Sequence, residues 1–245
     1  MALNFGHRGF SGRYPENTML AFEKAIEAGC DGIELDVHLS SDGEVVIIHD
    51  ERVDRTSDGC GYVGRMSLKE LQALDVFAAY RGQYGVNRIP TLKEYLELAR
   101  DGGIMTNIEL KTGIYTYPGI EEKTLKLIDE FGMRDKIIIS SFNHYSVKRM
   151  QALAPDMVYG LLEESRLIDT VGYTAAQGVQ AIHPEYHMVD EEFMAQAKAH
   201  GLAVNVWTVN SESSMRRLAD LGVDILIGNY PDLCGEVLKT CNNRR

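Results

Sequence analysis

At 245 residues and a formal net charge of −11, the chain has room for one large domain, and its average surface repels duplex nucleic acid. A small anionic substrate is not excluded, because a local cation can reverse the field of one pocket. A composition of 44% hydrophobic and 25% charged residues with 6 prolines leaves no disordered or low-complexity tract, and no apolar window approaches the roughly 20 residues that a spanning helix needs. Membrane insertion is therefore not expected. The residues ahead of His7 lack the basic flank and apolar stretch of a signal peptide. Cys30, Cys60, Cys234 and Cys241 are scattered without zinc-ribbon spacing, so reduced thiols in the cytoplasm are expected.

In chain order, the first strand is predicted at 3–7. A helix follows over 18–28, where Ala21, Phe22, Ala25 and Ile26 form one apolar stripe and Gly29 stops it. Strands at 32–40 and 45–49, joined by Ser41-Asp42-Gly43, suit a hairpin at a barrel mouth. Residues 51–89 then break the rhythm. They hold a helix at 67–73 with capping-box spacing from Ser67 to Glu70, and they read as a small insertion over the barrel mouth. The alternation resumes at Thr91, which has capping-box spacing to Glu94. Further strands are predicted at 104–110, 136–141, 158–162, 180–183, 203–209 and 224–228, with amphipathic helices at 121–131, 146–153, 191–200 and 211–220. Such an α/β alternation yields about eight βα units, the number that closes a TIM-type (β/α)8 barrel. The competing open doubly wound sheet lacks its glycine-rich fingerprint after strand one.

Chemistry concentrates between His7 and Asp50. Alternate side chains of a strand share a face, so Glu34, Asp36 and His38 point one way while Ile33, Leu35 and Val37 point the other. The same alternation groups Asn107, Glu109 and Lys111. Glu34, Asp36 and Glu109 then converge at neighbouring strand ends, as an oxygen-only cluster suited to Mg²⁺ or Ca²⁺ rather than zinc. An ion-pair network in which Lys111 neutralises the acids fits the same spacing. His7 and His49 fall at strand ends, where barrel active sites assemble, and a pair of imidazoles can divide general acid and base duties. Arg8 and Lys111 add the positive charge that a tetrahedral anion requires. Trp207, the one tryptophan, shares a face with Asn205 and either floors a substrate pocket or packs beneath the mouth. His183 ends another predicted strand. His38, His144 and His200 are read as surface or helix-end residues without a role.

The ordered set His7-Arg8-Gly9, Pro15-Glu16-Asn17-Thr18, Glu34-Leu35-Asp36-Val37, Asp42-Gly43, His49-Asp50 and Asp54-Arg55-Thr56 resembles the glycerophosphodiester phosphodiesterase family. The likeness continues through Glu109-Leu110-Lys111, Ser140-Ser141-Phe142-Asn143, Trp207-Thr208-Val209-Asn210 and Gly222-Val223-Asp224, and so spans nearly the whole chain. It implies a single TIM-barrel domain over 1–245 with an inserted subdomain at 51–89. The implied reaction is metal-dependent hydrolysis of small glycerophosphodiesters to an alcohol and glycerol 3-phosphate. By position, the resemblance implies that Glu34, Asp36 and Glu109 ligate a divalent metal ion, Mg²⁺ or Ca²⁺. His7 and His49 would be the acid/base pair, with His7 favoured as base, and Arg8 and Lys111 would hold the phosphate. Glu16 and Asn17 match further motif positions: Glu16 is suited to orient Arg8, and Asn17 either caps the first helix or touches substrate.

One departure stands out. Where such sequences often carry an acidic residue after the last strand, this chain has Asn229, which bears on substrate detail rather than activity. Rival readings are a phosphodiesterase of lysophospholipids, a non-catalytic phosphodiester-binding barrel and a zinc amidohydrolase. The last wants a His-x-His pair on the first strand and finds only His7. The alcohol head group is open, as is the choice between monomer and homo-oligomer.

Overall fold

Strand alternation decides the architecture. In β2 (Gly32–Leu39), Ile33, Leu35 and Val37 join the same apolar cluster as Phe22 of α1 (Met19–Glu27) and Leu92 and Leu96 of α3 (Leu92–Gly102). Glu34, Asp36 and His38 are thereby turned to the opposite face, away from the helices. The computed structural model describes residues 2–242. After β1 (Leu3–His7), α1 and β2, the short β3 (Val45–Ile47) turns back antiparallel on β2, with Val37 opposite Ile47. The chain continues through α2 (Leu68–Leu71), α3, β4 (Met105–Leu110), α4 (Ile120–Phe131), β5 (Ile137–Ser141), α5 (His144–Leu153), β6 (Val158–Glu163) and α6 (Thr170–Ala176). It ends through β7 (Ala181–Pro184), α7 (Glu191–Ala199), β8 (Ala203–Val206), α8 (Glu212–Leu221), β9 (Ile225–Gly228) and α9 (Pro231–Asn242). All strands but β3 pair in parallel, and β9 returns to β1, which closes an eight-stranded TIM barrel ringed by helices.

Phe5, Ile138, Ile225 and Ile227 form one apolar cluster, in which Phe5 lies level with Ile227 and two residues before His7 on β1. Gly32 lies opposite Phe5, and a Cβ there would come within 2.5 Å of the Phe5 ring, so only glycine admits this plug. With the bottom filled by hydrocarbon, polar groups of the same faces collect at the strand C-termini.

Both capping boxes form, Ser67 with Glu70 and Thr91 with Glu94, and Thr18 caps α1 by accepting from the Ala21 N–H. Residues 51–89 have their own apolar cluster, in which Val53, Val63, Leu71 and Val76 pack with Val46 and Ile48. The Tyr80 hydroxyl donates to the Ser11 carbonyl, which fastens this segment to the loop after β1.

Several elements differ from the sequence expectation. β3 stops at Ile47, so His49 lies beyond the ladder, and β8 stops at Val206, ahead of a cis Trp207–Thr208 peptide. The helix expected over 67–73 spans Leu68–Leu71. α6 and α9 were not anticipated; α6 (TVGYTAA) holds glycine and β-branched residues of weak helix propensity and is started by Asp169, which accepts from the Gly172 N–H. His200 caps the end of α7 and His144 opens α5, but His38 is not a surface residue: it is fully buried.

Candidate active site

Register brings the polar residues together. His7 of β1 lies level with Glu34 of β2 and Asn107 of β4, and Asp36 lies level with Glu109 one rung higher. Glu34, Asp36 and Glu109 each offer a carboxylate oxygen, all within 4.8 Å of one another, and all three residues are buried. Three buried carboxylates so close together repel one another. Burial and the neighbouring Asp36 and Glu109 charges push Glu34 well above the usual carboxylate range. Burial would raise Asp36 too, but Arg8 and Lys111 override it and keep Asp36 ionised. Asp36 Oδ1 has no hydrogen-bond partner although it is buried. An orphaned carboxylate oxygen beside two further carboxylates fits a hard divalent cation.

The cations are held by the backbone as much as by charge. Arg8 and Asn17 both adopt left-handed φ, 55° each, which folds the loop after β1 back over the strand ends. The Arg8 N–H donates to the Glu34 carbonyl at 2.8 Å, and its guanidinium reaches Glu16 at 2.8 Å and Asp36 at 3.4 Å. Asn17 Nδ2 donates to Asp36 Oδ2 at 2.9 Å, so Asn17 steadies the acidic cluster; the cap of α1 belongs to Thr18. Lys111 Nζ donates to Glu109 at 2.9 Å and lies 3.8 Å from Asp36. Burial opposes its charge, but these two carboxylates raise its pKa above the usual lysine value.

The two imidazoles have different partners. His7 Nδ1 meets the Asn229 side-chain oxygen at 2.6 Å, and its Nε2 lies 3.9 Å from Glu34. Burial, aided by Arg8, depresses its pKa to about 3, so the ring is neutral. An amide oxygen only accepts, which places the proton on Nδ1 and the lone pair on Nε2. His49 Nδ1 instead meets the Asp50 carboxylate at 2.5 Å, and its Nε2 faces Lys111 Nζ at 3.2 Å. Arg55 grips Asp50 and Glu16 together, with two hydrogen bonds to each. A continuous charged chain thus runs His49–Asp50–Arg55–Glu16–Arg8–Asp36.

A cleft opens over these groups. One wall is ionic, formed by His7, Arg8, Glu34, His49 and Glu109; the other is apolar, formed by Phe142, Leu162, Trp207 and Ile227. Phe142 meets Trp207 edge-on at 5.5 Å, and the indole N–H is anchored on the His183 carbonyl at 2.8 Å. Such an amphipathic cleft matches a ligand with an anionic centre and a short carbon arm.

A model of the glycerophosphoryl diester phosphodiesterase family matches residues 7–233. The chain belongs to that family. A family relative from Caldanaerobacter subterraneus subsp. tengcongensis, named glycerophosphodiester phosphodiesterase, is 42% identical over 94% of this chain and 95% of its own length. A phosphodiesterase of Oleispira antarctica, solved in complex with the product sn-glycerol-3-phosphate, superposes with a TM-score of 0.86 at 30% identity, covering 96% of each chain. A structure from Silicibacter pomeroyi, at 24% identity over 99% of this chain and 94% of its own, shares the fold with a TM-score of 0.90.

Against the family pattern, the structure brings His7, Arg8, Glu34, His49, Glu109 and Trp207 to the cleft, with Lys111 beside His49. Glu16 lies behind Arg8, and Asn17 behind Asp36. Asn229, the departure from the family pattern, touches His7. Four side chains here had no assigned role: Asp50, Arg55, Phe142 and His38. The first three lie within the family motifs quoted from the sequence, so their signal was present. His38 shares the inner face with Glu34 and Asp36, and that parity was its only signal.

Proposed function

We propose that this barrel hydrolyses small glycerophosphodiesters to an alcohol and glycerol 3-phosphate, with His7 and His49 as general base and acid. The observation that carries the reading is the cleft itself: a buried acidic triad, two imidazoles and two cations face an apolar wall. The whole chain works as one barrel domain, with residues 51–89 as a subdomain at the mouth, contributing Arg55 to the charged chain.

Glu34, Asp36 and Glu109 would hold a divalent cation, Mg²⁺ or Ca²⁺, which when bound supplies Lewis-acid charge against a phosphoryl oxygen. Arg8 and Lys111 flank the triad and bind the phosphodiester anion. Burial and, after it, the Arg8 charge suppress His7 basicity; the incoming anion offsets the second of these, and His7 Nε2 takes the proton of the attacking oxygen. Its partner is the neutral Asn229 amide, which does not favour the charged ring. His49 has the opposite setting, since the Asp50 carboxylate stabilises positive charge on the imidazole. As Lys111 turns to the phosphate, His49 Nε2 is freed to hold the proton delivered to the departing alkoxide. Trp207 and Phe142 orient the carbon arm. The unpaired cysteines fit a reducing compartment such as the cytoplasm.

The test is a panel of glycerophosphodiesters assayed for released glycerol 3-phosphate after exhaustive chelation, and again after each metal is added back. Turnover is expected only with a divalent cation and is expected to collapse in His7→Ala and His49→Ala while substrate affinity persists. Turnover that survives chelation, or survives in both variants, contradicts the proposal.

A further inference from the structure

His49 lies beyond the end of β3, and something must hold its backbone. The last rung between β2 and this segment is the Ile48 N–H bonded to the Asp36 carbonyl at 3.1 Å. Beyond that rung the backbone is held by a side chain, that of His38, whose own backbone pairs with Val46. His38 Nε2 meets the His49 carbonyl at 3.0 Å, and His38 Nδ1 meets the Tyr117 hydroxyl at 3.0 Å. The two rings stand perpendicular, 5.4 Å apart, and the His38 ring has no exposed surface.

The chemistry of the partners orders the protons. A carbonyl oxygen only accepts, so Nε2 carries the hydrogen; the neutral ring then has its lone pair on Nδ1, and the tyrosine O–H donates to it. Tyr117 belongs to the segment that leaves β4 through Lys111, and it holds a left-handed φ of 43°. One imidazole therefore ties the backbone of His49 to the segment that carries Lys111, whose ammonium stands 3.2 Å from the His49 ring. We infer that His38 is a positioning residue: with Tyr117 it clamps the His49 carbonyl and so sets the His49 ring against Lys111 and Asp50. The clamp rests on the reading of His49 as a catalytic residue.

The test uses His38→Gln, His38→Leu and Tyr117→Phe in the metal-loaded protein. The nitrogen and oxygen of a carboxamide are spaced like the two ring nitrogens, so glutamine can donate to the carbonyl and accept from Tyr117, whereas leucine keeps bulk and loses both bonds. His38→Leu is expected to lower kcat about tenfold or more, as small misplacements of a proton donor do, with KM within about twofold. His38→Gln recovers most of the loss, and Tyr117→Phe falls between. In a His49→Ala background His38→Leu makes no further difference. ¹⁵N NMR of wild-type His38 is expected to show the Nε2–H tautomer.

An unchanged kcat in His38→Leu, an equal loss in the His49→Ala background, or a folded His38→Gln as impaired as leucine overturns the clamp. If His38→Leu fails to fold, the glutamine variant and the tautomer decide. If the wild type cleaves no glycerophosphodiester, the functional reading fails instead, and an Nδ1–H tautomer alone then overturns the clamp.

Discussion

Replacing Asp50 by Asn isolates the electrostatic half of the acid–base design. The carboxylate accepts from His49 Nδ1 at 2.5 Å, and both side chains are about 30% exposed. Hydrogen bonds to charged groups contribute about 1.5–3 kcal/mol, and partial exposure screens this pair toward the lower end, about 1.5–2 kcal/mol. If that energy is what keeps the proton on the ring until the departing alkoxide takes it, kcat falls by about 10- to 30-fold while KM is little changed. The amide keeps the size of the side chain, and Arg55 retains its bonds to Glu16, so the fold is undisturbed. His49 and Arg55 hold the Asp50 carboxyl well below the usual carboxylate range, so Asp50 itself stays ionised over about pH 5–9. The assay is steady-state hydrolysis in both the wild-type and the His49→Ala background. A kcat within twofold of wild type, or an equal loss without His49, refutes the reasoning.

Glu34→Gln removes one of three crowded charges. Calorimetric titration is expected to show divalent-cation affinity lowered at least about 100-fold, while the cation-free protein gains about 1–2 kcal/mol from relief of repulsion, read in its melting temperature. Unchanged cation affinity would falsify the assignment of the triad. Trp207→Ala is expected to raise KM about tenfold with a smaller change in kcat, because it removes the apolar wall and spares the ionic one; an unaltered KM places the carbon arm elsewhere. His183 is fully buried, and desolvation depresses its pKa to about 3. The unfolded chain binds a proton near pH 6.5 that the folded chain refuses, so its contribution to stability is intact above about pH 6.5. That contribution falls by about 1.4 kcal/mol per unit as the pH drops toward the folded pKa. His183→Asn should flatten denaturant-derived stability against pH by one proton over this range, and an unchanged slope contradicts the assignment.

What was legible in the sequence followed from periodicity. Alternation in 32–39 placed Glu34 and Asp36 inside and Ile33 and Leu35 outside, and the barrel confirms it because one face of each strand must meet helices. What was hidden depended on partners far along the chain. His38 had the right parity, but its partner Tyr117 is 79 residues away, so nothing local distinguished a clamp from a surface histidine. Asn229 reaches His7 across 222 residues, through the pairing of β9 with β1 that closes the barrel. Asn17 was open between a helix cap and a substrate contact; Thr18 takes the cap, and Asn17 donates to Asp36. α6 was obscured by its own composition: it depends on its Asp169 cap and on the burial of Val171 and Thr174 rather than on propensity.

The proposed reaction breaks one particular bond, the phosphoester of the alcohol head group. ³¹P NMR of glycerophosphocholine incubated with the metal-loaded protein follows that bond directly. The diester resonance is expected to be replaced by that of glycerol 3-phosphate, with choline released in equal amount. A persisting diester across the head-group panel, or phosphocholine as the phosphorus product, contradicts it.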